Sequence, residues 1–311
     1  MLKNLILYGI ATISLSAFDY NLHPKKVAED IYCFFGKLEN ISMQNGGNMV
    51  NTCYVQTKEG YVVIDSGPTY SYALQAYSSM QQISKLPVKY VINTHDHDDH
   101  WLGNSFYKKQ NAFLIGPETY AKNIFFGMKT RMQRMVGSEI FSGTTIVKLD
   151  KIVKQYHKIQ VGKTLFEIKQ LVSQAHTKGD LIVYLPQKKV LFAGDLVFND
   201  RITSLRDGSL IGSLRALDLI DELRPNVIVG GHGYRTDANA TQAFKGYLLD
   251  MKTEILDALD NNIPIEEITK KIQMPAYKNL KLYNVLHRRN VFDAYRELEM
   301  YDEDEIRGEK Q

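Results

Sequence analysis

The sequence predicts an α/β domain over about residues 30–250, followed by a helical C-terminal extension over 251–311. Three observations carry this. From Ile31 onward, short runs of β-branched and aromatic residues alternate with stretches of helical periodicity. Gly, Asn, Asp and Pro punctuate the runs, as turns require. From about 237 the chain becomes charged and helix-forming, with Pro264 and Pro275 marking breaks.

In chain order, IYCFFG (31–36), NTCYVQT (51–57) and YVVIDSG (61–67) read as consecutive strands with tight connections. Past Pro68, a helical pattern over about 71–84 leads to the strand VKYVINT (88–94). A second round has a helix opening near Asp99, the strand AFLIG (112–116) and a longer amphipathic stretch to about Gly137. From 145 the chain returns to strands: KQYHKIQV, LFEIKQL, DLIVYLP and KVLFAGD. Helix 211–223 and strand NVIVGG (226–231) follow. The Met and aromatic stretch NIFFGMKTRMQRMVG (123–137) has helical spacing, so its apolar face is expected to pack on the sheet or roof a cleft. There is no fixed short repeat and no low-complexity segment.

Composition narrows the class. With 44% hydrophobic residues, 38 Lys+Arg against 35 Asp+Glu and a net charge of +3, the 311-residue chain is neither disordered, collagenous nor a polytopic membrane protein. It is long enough to bury a core without a disulfide framework or a structural metal, so any metal serves chemistry. The charge is too small and scattered for a nucleic-acid footprint.

Residues 1–17, MLKNLILYGIATISLSA, join one basic residue (Lys3), an uncharged apolar run from Leu5 and the small residues Ser14, Ser16 and Ala17, which reads as a secretory signal peptide. The run is short for a transmembrane helix of about 20 residues, and Asp19 ends it; an uncleaved anchor is the rival reading. A periplasmic or secreted location is expected, with no stable membrane insertion after cleavage. Export would permit a disulfide between Cys33 and Cys53, the only cysteines, but two small buried apolar residues account for them equally well.

The chemistry is concentrated in Thr94-His95-Asp96-His97-Asp98-Asp99-His100, an HxHxDH pattern at the end of the strand VKYVINT. Alternate residues of a strand share a side, so His95 and His97 can point together while Asp99 and His100, at the turn into a helix, reach a second point nearby. Imidazole suits Zn and Fe, and a carboxylate adds a harder ligand. His176 in AHTKGD, Asp195 ending KVLFAGD and His232 in GGHG each lie just past the C-terminal end of a strand, where open α/β sheets place ligands. Singly each is an ordinary turn residue or cap; together they make seven ligands.

These residues resemble the metallo-β-lactamase fold superfamily over roughly 30–250. The resemblance implies a four-layer αββα sandwich with metals in a cleft at the sheet edges. It assigns His95, His97 and His176 to one metal, Asp99, His100 and His232 to the other, and Asp195 as the bridge. Asp65, in VVIDSGP, matches the first motif and would orient ligands and loop, although a turn-capping Asp before Ser66-Gly67 reads nearly as well. More closely, segments 45–70, 92–104, 176–181 and 191–201 are similar to the exported quinoprotein relay system zinc metallohydrolases. Lys178, where Pro is common, and Cys53, where that subgroup often has Gly, depart from the pattern; neither is a ligand.

Two Zn²⁺ ions are the expected cofactors, and Fe or Mn suits the same ligand set. Two cations sharing a water supply a bridging hydroxide near neutral pH, so no protein nucleophile is required, and Asp99 is placed as ligand and proton shuttle. No GxSxG elbow, P-loop or GxGxxG after a strand is present. By the resemblance, an Asp at position 195 points to thioester, lactone and phosphodiester hydrolases and away from β-lactamases proper, leaving lactam turnover as a main or side reaction to be tested. The expectation is a hydrolase of a small molecule in the periplasm, without a nucleic-acid partner. The alternative is a metal-binding accessory protein of a periplasmic cofactor or electron-relay pathway, its C-terminal helices docking a protein partner. Trp101 reads as a core anchor, Tyr234 and Arg235 as a solvated loop, and His23, His157 and His287 as locally satisfied.

Overall fold

The computed structural model describes residues 18–124 and 129–301. The expected signal peptide, residues 1–17, lies outside the described residues. Among those described, no helix is long and apolar enough to cross a membrane.

The first half builds a seven-stranded sheet in sequence order: β1 (Lys25–Ala28), β2 (Ile31–Phe34), β3 (Thr52–Gln56), β4 (Tyr61–Ile64), β5 (Val88–Ile92), β6 (Phe113–Pro117) and β7 (Lys151–Val153). Strands β1 to β4 pair antiparallel and β4 to β7 parallel, with the change at the crossover helix α1 (Tyr70–Ile83). Thr69 caps α1, its hydroxyl accepting from Tyr72 N. The short helices α2 (Asp98–Trp101) and α3 (Asn104–Lys109) precede β6, and α4 (Glu118–Asn123) and α5 (Arg131–Val136) lie between β6 and β7.

The second half builds a five-stranded sheet of β8 (Tyr156–Val161), β9 (Thr164–Gln170), β10 (Leu181–Leu185), β11 (Val190–Phe198) and β12 (Val227–His232), in the order β12-β11-β10-β9-β8. Only β11 and β12, joined through α6 (Leu210–Glu222), run parallel. Then come α7 (Gln242–Asp260), α8 (Ile265–Lys271), a 3₁₀ turn at Pro275–Tyr277 and α9 (Tyr283–Leu298).

Side-chain alternation sorts these elements into four layers, helices, sheet, sheet, helices. Cys53, Val55, Val62 and Ile64 of the first sheet face Leu181, Val183, Leu185 and Phe192 of the second. On the reverse faces, Tyr54, Tyr61 and Val63 pack on Tyr72 and Met80 of α1, while Ile182 and Leu191 share a core with Leu217 of α6 and Phe244, Leu248 and Met251 of α7. Residue 250, where the extension was expected to start, falls inside α7. Cys33 and Cys53 stand opposite each other on β2 and β3 and form a disulfide.

Three local expectations change. Strands β1 and β7 are unforeseen: they are short sheet-edge strands, and edges carry lysine rather than an apolar run. The amphipathic stretch to Gly137 is two short helices, α4 and α5, separated around Ile124–Thr130, whose middle residues 125–128 lie outside the described residues. Its apolar face does pack on the core, through Met132 and Val136.

Candidate metal centre

Two loop systems meet where the C-terminal ends of the two sheets converge. Beyond β5, Asn93 N donates to Ile115 O at 2.8 Å, and the Asn93 and Asn104 side chains clasp each other, Asn104 Nδ2 donating to Asn93 Oδ1 at 2.7 Å. This fixes the start of the His95–His100 turn. Opposite it, β11 delivers Asp195 and β12 ends on His232. Gly194 (φ +51°) takes a conformation that favours glycine, and a Cβ on Gly231 would run into the Asp195 carboxylate.

Of the seven ligands expected from sequence, His95, His97, His176 and Asp195 form one group and Asp99, His100 and His232 another, with the ligand atoms within 4.8 Å of one another in each. Asp195 faces both. Its Oδ2 lies 3.1 Å from His176 Nε2 and 3.7 Å from His95 Nε2; its Oδ1 lies 3.2 Å from His100 Nε2 and 3.3 Å from His232 Nε2. His97 Nδ1 is 2.9 Å from His176 Nε2. Asp99 Oδ2 is 3.7 Å from both His100 Nε2 and His232 Nε2. Four-coordinate zinc with bonds of about 2.0–2.1 Å separates neighbouring ligand atoms by about 3.3–3.4 Å, so these spacings fit a pair of cations. Four buried atoms of the cluster residues have no hydrogen-bond partner: His95 Nε2, His100 Nε2 and Asp195 Oδ1, which face inward, and His176 Nδ1 on the outer side of its ring. Buried polar atoms are otherwise nearly always satisfied, and a cation would satisfy the three that face inward.

Outer contacts set which nitrogens point inward. Asp65, at the end of β4 with a left-handed φ of +55°, accepts from Thr94 N and Thr94 Oγ1 at 2.8 Å each and meets His100 Nδ1 at 2.8 Å. Thr94 spends its one hydroxyl proton on Asp65, so it accepts from His95 Nδ1 at 3.1 Å. His232 Nδ1 faces the Met49 carbonyl at 2.7 Å, and a carbonyl can only accept. In each of these three rings the outer nitrogen carries a hydrogen, and Nε2 is the atom turned toward the cluster. Asp65 is thus tied directly into the site as well as into its turn.

Burial opposes ionisation of Asp195, but His232, His100, His176 and His95 outweigh it and hold its carboxyl well below the usual carboxylate range. Burial likewise works against the Asp99 carboxylate, and Arg131, His100 and His232 together more than offset it and hold its carboxyl below the usual carboxylate range. Burial, reinforced by His100, pushes the His95 imidazole well down.

Arg131 is a site residue that sequence reasoning missed. From the start of α5, its Nη2 donates to Asp99 Oδ1 at 2.8 Å and its Nε to Asp98 Oδ1 at 3.1 Å, leaving Asp99 Oδ2 turned to the histidines. Asp98 also accepts from Met132 N at 2.6 Å. No local pattern links Arg131 to a turn more than thirty residues earlier. Thr94, Asp207 and the Met49 carbonyl were equally invisible.

Trp101 is buried against Tyr120, its Nε1 donating to Asp96 O at 2.9 Å. Tyr234 is exposed and Arg235 pairs with Asp237, away from the ligands. His23 is exposed and His287 is buried between Tyr247 and Ile272; neither joins the cluster, nor does His157. Two cavities of about 290 and 770 Å³ open beside His97, sharing Asp96, Asn123 and Arg206 in their walls.

Residues 45–232 match the family model of the metallo-beta-lactamase superfamily, and the chain belongs to that superfamily. A hydroxyacylglutathione hydrolase of Brucella anthropi is 28% identical over 153 residues, 49% of this chain and 49% of that protein. The chain therefore spans about half the length of the curated relatives it matches. Among solved structures, a double mutant of the sec-alkyl sulfatase PisA1 superposes with a TM-score of 0.66 at 19% identity, covering 91% of this chain and 51% of that one. A metallo-beta-lactamase from Pontibacter korlensis gives 0.59 at 21% identity, covering 74% and 99%. At these identities the structures show the shared fold, the four-layer αββα sandwich.

Proposed function

We propose that this protein is a binuclear metal-dependent hydrolase acting on an ester, thioester, lactone, lactam or phosphodiester of a small molecule, and that it works in the periplasm or outside the cell. The observation that carries the reading is Asp195 facing two histidine groups at ligand spacing, with inward ring atoms left unpartnered. Bound divalent cations, zinc first, supply Lewis acidity and lower the pKa of water, so hydrolysis near neutral pH needs no serine or cysteine nucleophile. The chain's own residues divide the remaining work. His95, His97, His176, Asp99, His100, His232 and Asp195 hold the ions. Asp65 and Thr94 accept from the outer nitrogens of His100 and His95 and so aim Nε2 of each ring at the cluster, and Arg131 holds Asp99 with one oxygen free to ligate or pass a proton. Trp101 closes the turn from below. The name of the curated relatives, hydroxyacylglutathione hydrolase, favours acyl transfer to water among these reactions. The Cys33–Cys53 disulfide favours an oxidising compartment, in line with the signal-like residues 1–17.

Elemental analysis of the purified protein is expected to give close to two metal equivalents. A panel of chromogenic ester, thioester, lactone, phosphodiester and cephalosporin substrates is expected to show turnover that chelation and His97→Ala abolish. Protein that stays metal-free after reconstitution sinks the reading; metal binding with no turnover on any substrate leaves a binding role in its place.

A further inference from the structure

We infer that Asp207 is a positioning residue for His97, and that the C-terminal helix α9 acts through it by holding the 203–211 loop in place. This rests on the metal-binding reading above and deepens it. His97 turns Nδ1 toward His176, which leaves Nε2 on the outer side, 3.4 Å from Asp207 Oδ2. A carboxylate at the far nitrogen of a ligating imidazole fixes the ring and raises its basicity. His95, His100 and His232 take outer contacts from Thr94, Asp65 and Met49, with Arg201 also 3.3 Å from His232 Nδ1; His97 takes its contact from the connection between β11 and α6.

Apart from a bridge at Arg201, that loop has no regular structure between β11 and α6, so its shape has to come from outside. It comes from α9. Asn290, fully buried, accepts from Leu205 N at 3.0 Å and donates to Thr203 O at 2.7 Å. Glu297 accepts from Leu210 N at 2.7 Å, Ile211 N at 3.3 Å and Ser209 Oγ at 2.5 Å. Ser209 N in turn donates to Ala175 O at 2.7 Å, the residue before His176. Arg206 grips the same Asp207 carboxylate, with Nε 3.1 and 3.0 Å from its two oxygens. The helical extension thereby reaches both His97 and His176 through one loop.

Zinc affinity of the full chain, measured by competition with a chromophoric chelator, tests this, with circular dichroism as the check on folding. Asp207→Ala is expected to weaken one of the two zinc equivalents by about 10–100-fold and leave the other unchanged. Asp207→Glu should recover part of the loss. Glu297→Ala should weaken the same equivalent, and by less in an Asp207→Ala background than in wild type, the signature of a shared path. If Glu297→Ala does not fold, Glu297→Gln, which keeps one acceptor, takes its place in the cycle. Asp207→Ala binding both equivalents as tightly as wild type overturns the inference, as does a Glu297 effect that persists undiminished in the double variant. A wild-type chain that binds no zinc overturns the metal-binding reading and this inference with it, so the two failures are told apart.

Discussion

The two halves of the metal centre share Asp195 but are built differently. Asp99, His100 and His232 are all buried; His100 and His232 have outer partners among buried groups, Asp65 and the Met49 carbonyl, while Asp99 is held by Arg131, whose side chain is 47% exposed. In the other half His95 is equally buried, but the His97 side chain is 27% exposed and leans on Asp207, itself 44% exposed. One half is embedded in the domain; the other opens on the two cavities. On the metal-binding reading, the difference separates residues that would hold a cation from those that would present it. A deeply braced ligand set costs little reorganisation, whereas substrate must approach where side chains meet solvent.

The largest expected effect removes what the halves share. Asp195→Ala should weaken both zinc equivalents by more than the ~10–100-fold usual for a change behind the ligands, read by equilibrium dialysis; retention of one tight equivalent would show that Asp195 serves one half only. Next, Asp65→Ala strikes the buried half. It leaves His100 Nδ1 and Thr94 N without their acceptor, which should cost about 1–3 kcal/mol in urea unfolding and weaken one zinc equivalent about 10–100-fold. Arg131→Ala should act in the same direction through Asp99; an unchanged zinc affinity would mean that Asp99 holds its orientation unaided. As for the exposed half, a chelator should strip zinc from the chain in two phases, and His97→Ala, which removes a ligand outright, should delete the faster one. A single phase would erase the distinction between the halves. The smallest effect on the centre is expected from Cys33→Ser with Cys53→Ser. Stability should fall by about 2–4 kcal/mol while zinc affinity stays as in wild type, because no ligand, and none of the outer partners named above, lies on β2 or β3.

The strands were legible because their apolar residues alternate or run together, and the ligands because each sits just past a strand end with metal-binding chemistry. The turn at His95–His100 was readable as a unit, since strand and turn geometry fix its local directions. What escaped were contacts between residues far apart in sequence. Arg131 lies in a stretch whose apolar spacing suggested packing on the sheet or a roof over the cleft but singled out no polar residue, and α5 serves both ends: Met132 enters the core while Arg131 reaches Asp98 and Asp99. Asp207 stands in a polar loop with no periodicity. The edge strands β1 and β7 carry too few apolar residues to register. The pairing of Cys33 with Cys53 stayed open because two cysteines in separate strands meet only if those strands are neighbours in register, as Cys33 and Cys53 are.

By itself the sequence determined the α/β class, the order of most elements and the identity of seven side chains of metal-ligating type that meet at one site, because periodicity and ligand chemistry are local properties. Only the tertiary structure decided that Asp195 faces both histidine groups, which nitrogen each of three rings turns inward, and that the C-terminal helices share a core with the second sheet and brace the 203–211 loop. Those depend on hydrogen bonds and packing between segments tens of residues apart, such as Asp65 to His100, Met49 to His232 and Asn290 to Leu205. Long-range contacts of that kind exist only once the two sheets have closed on each other.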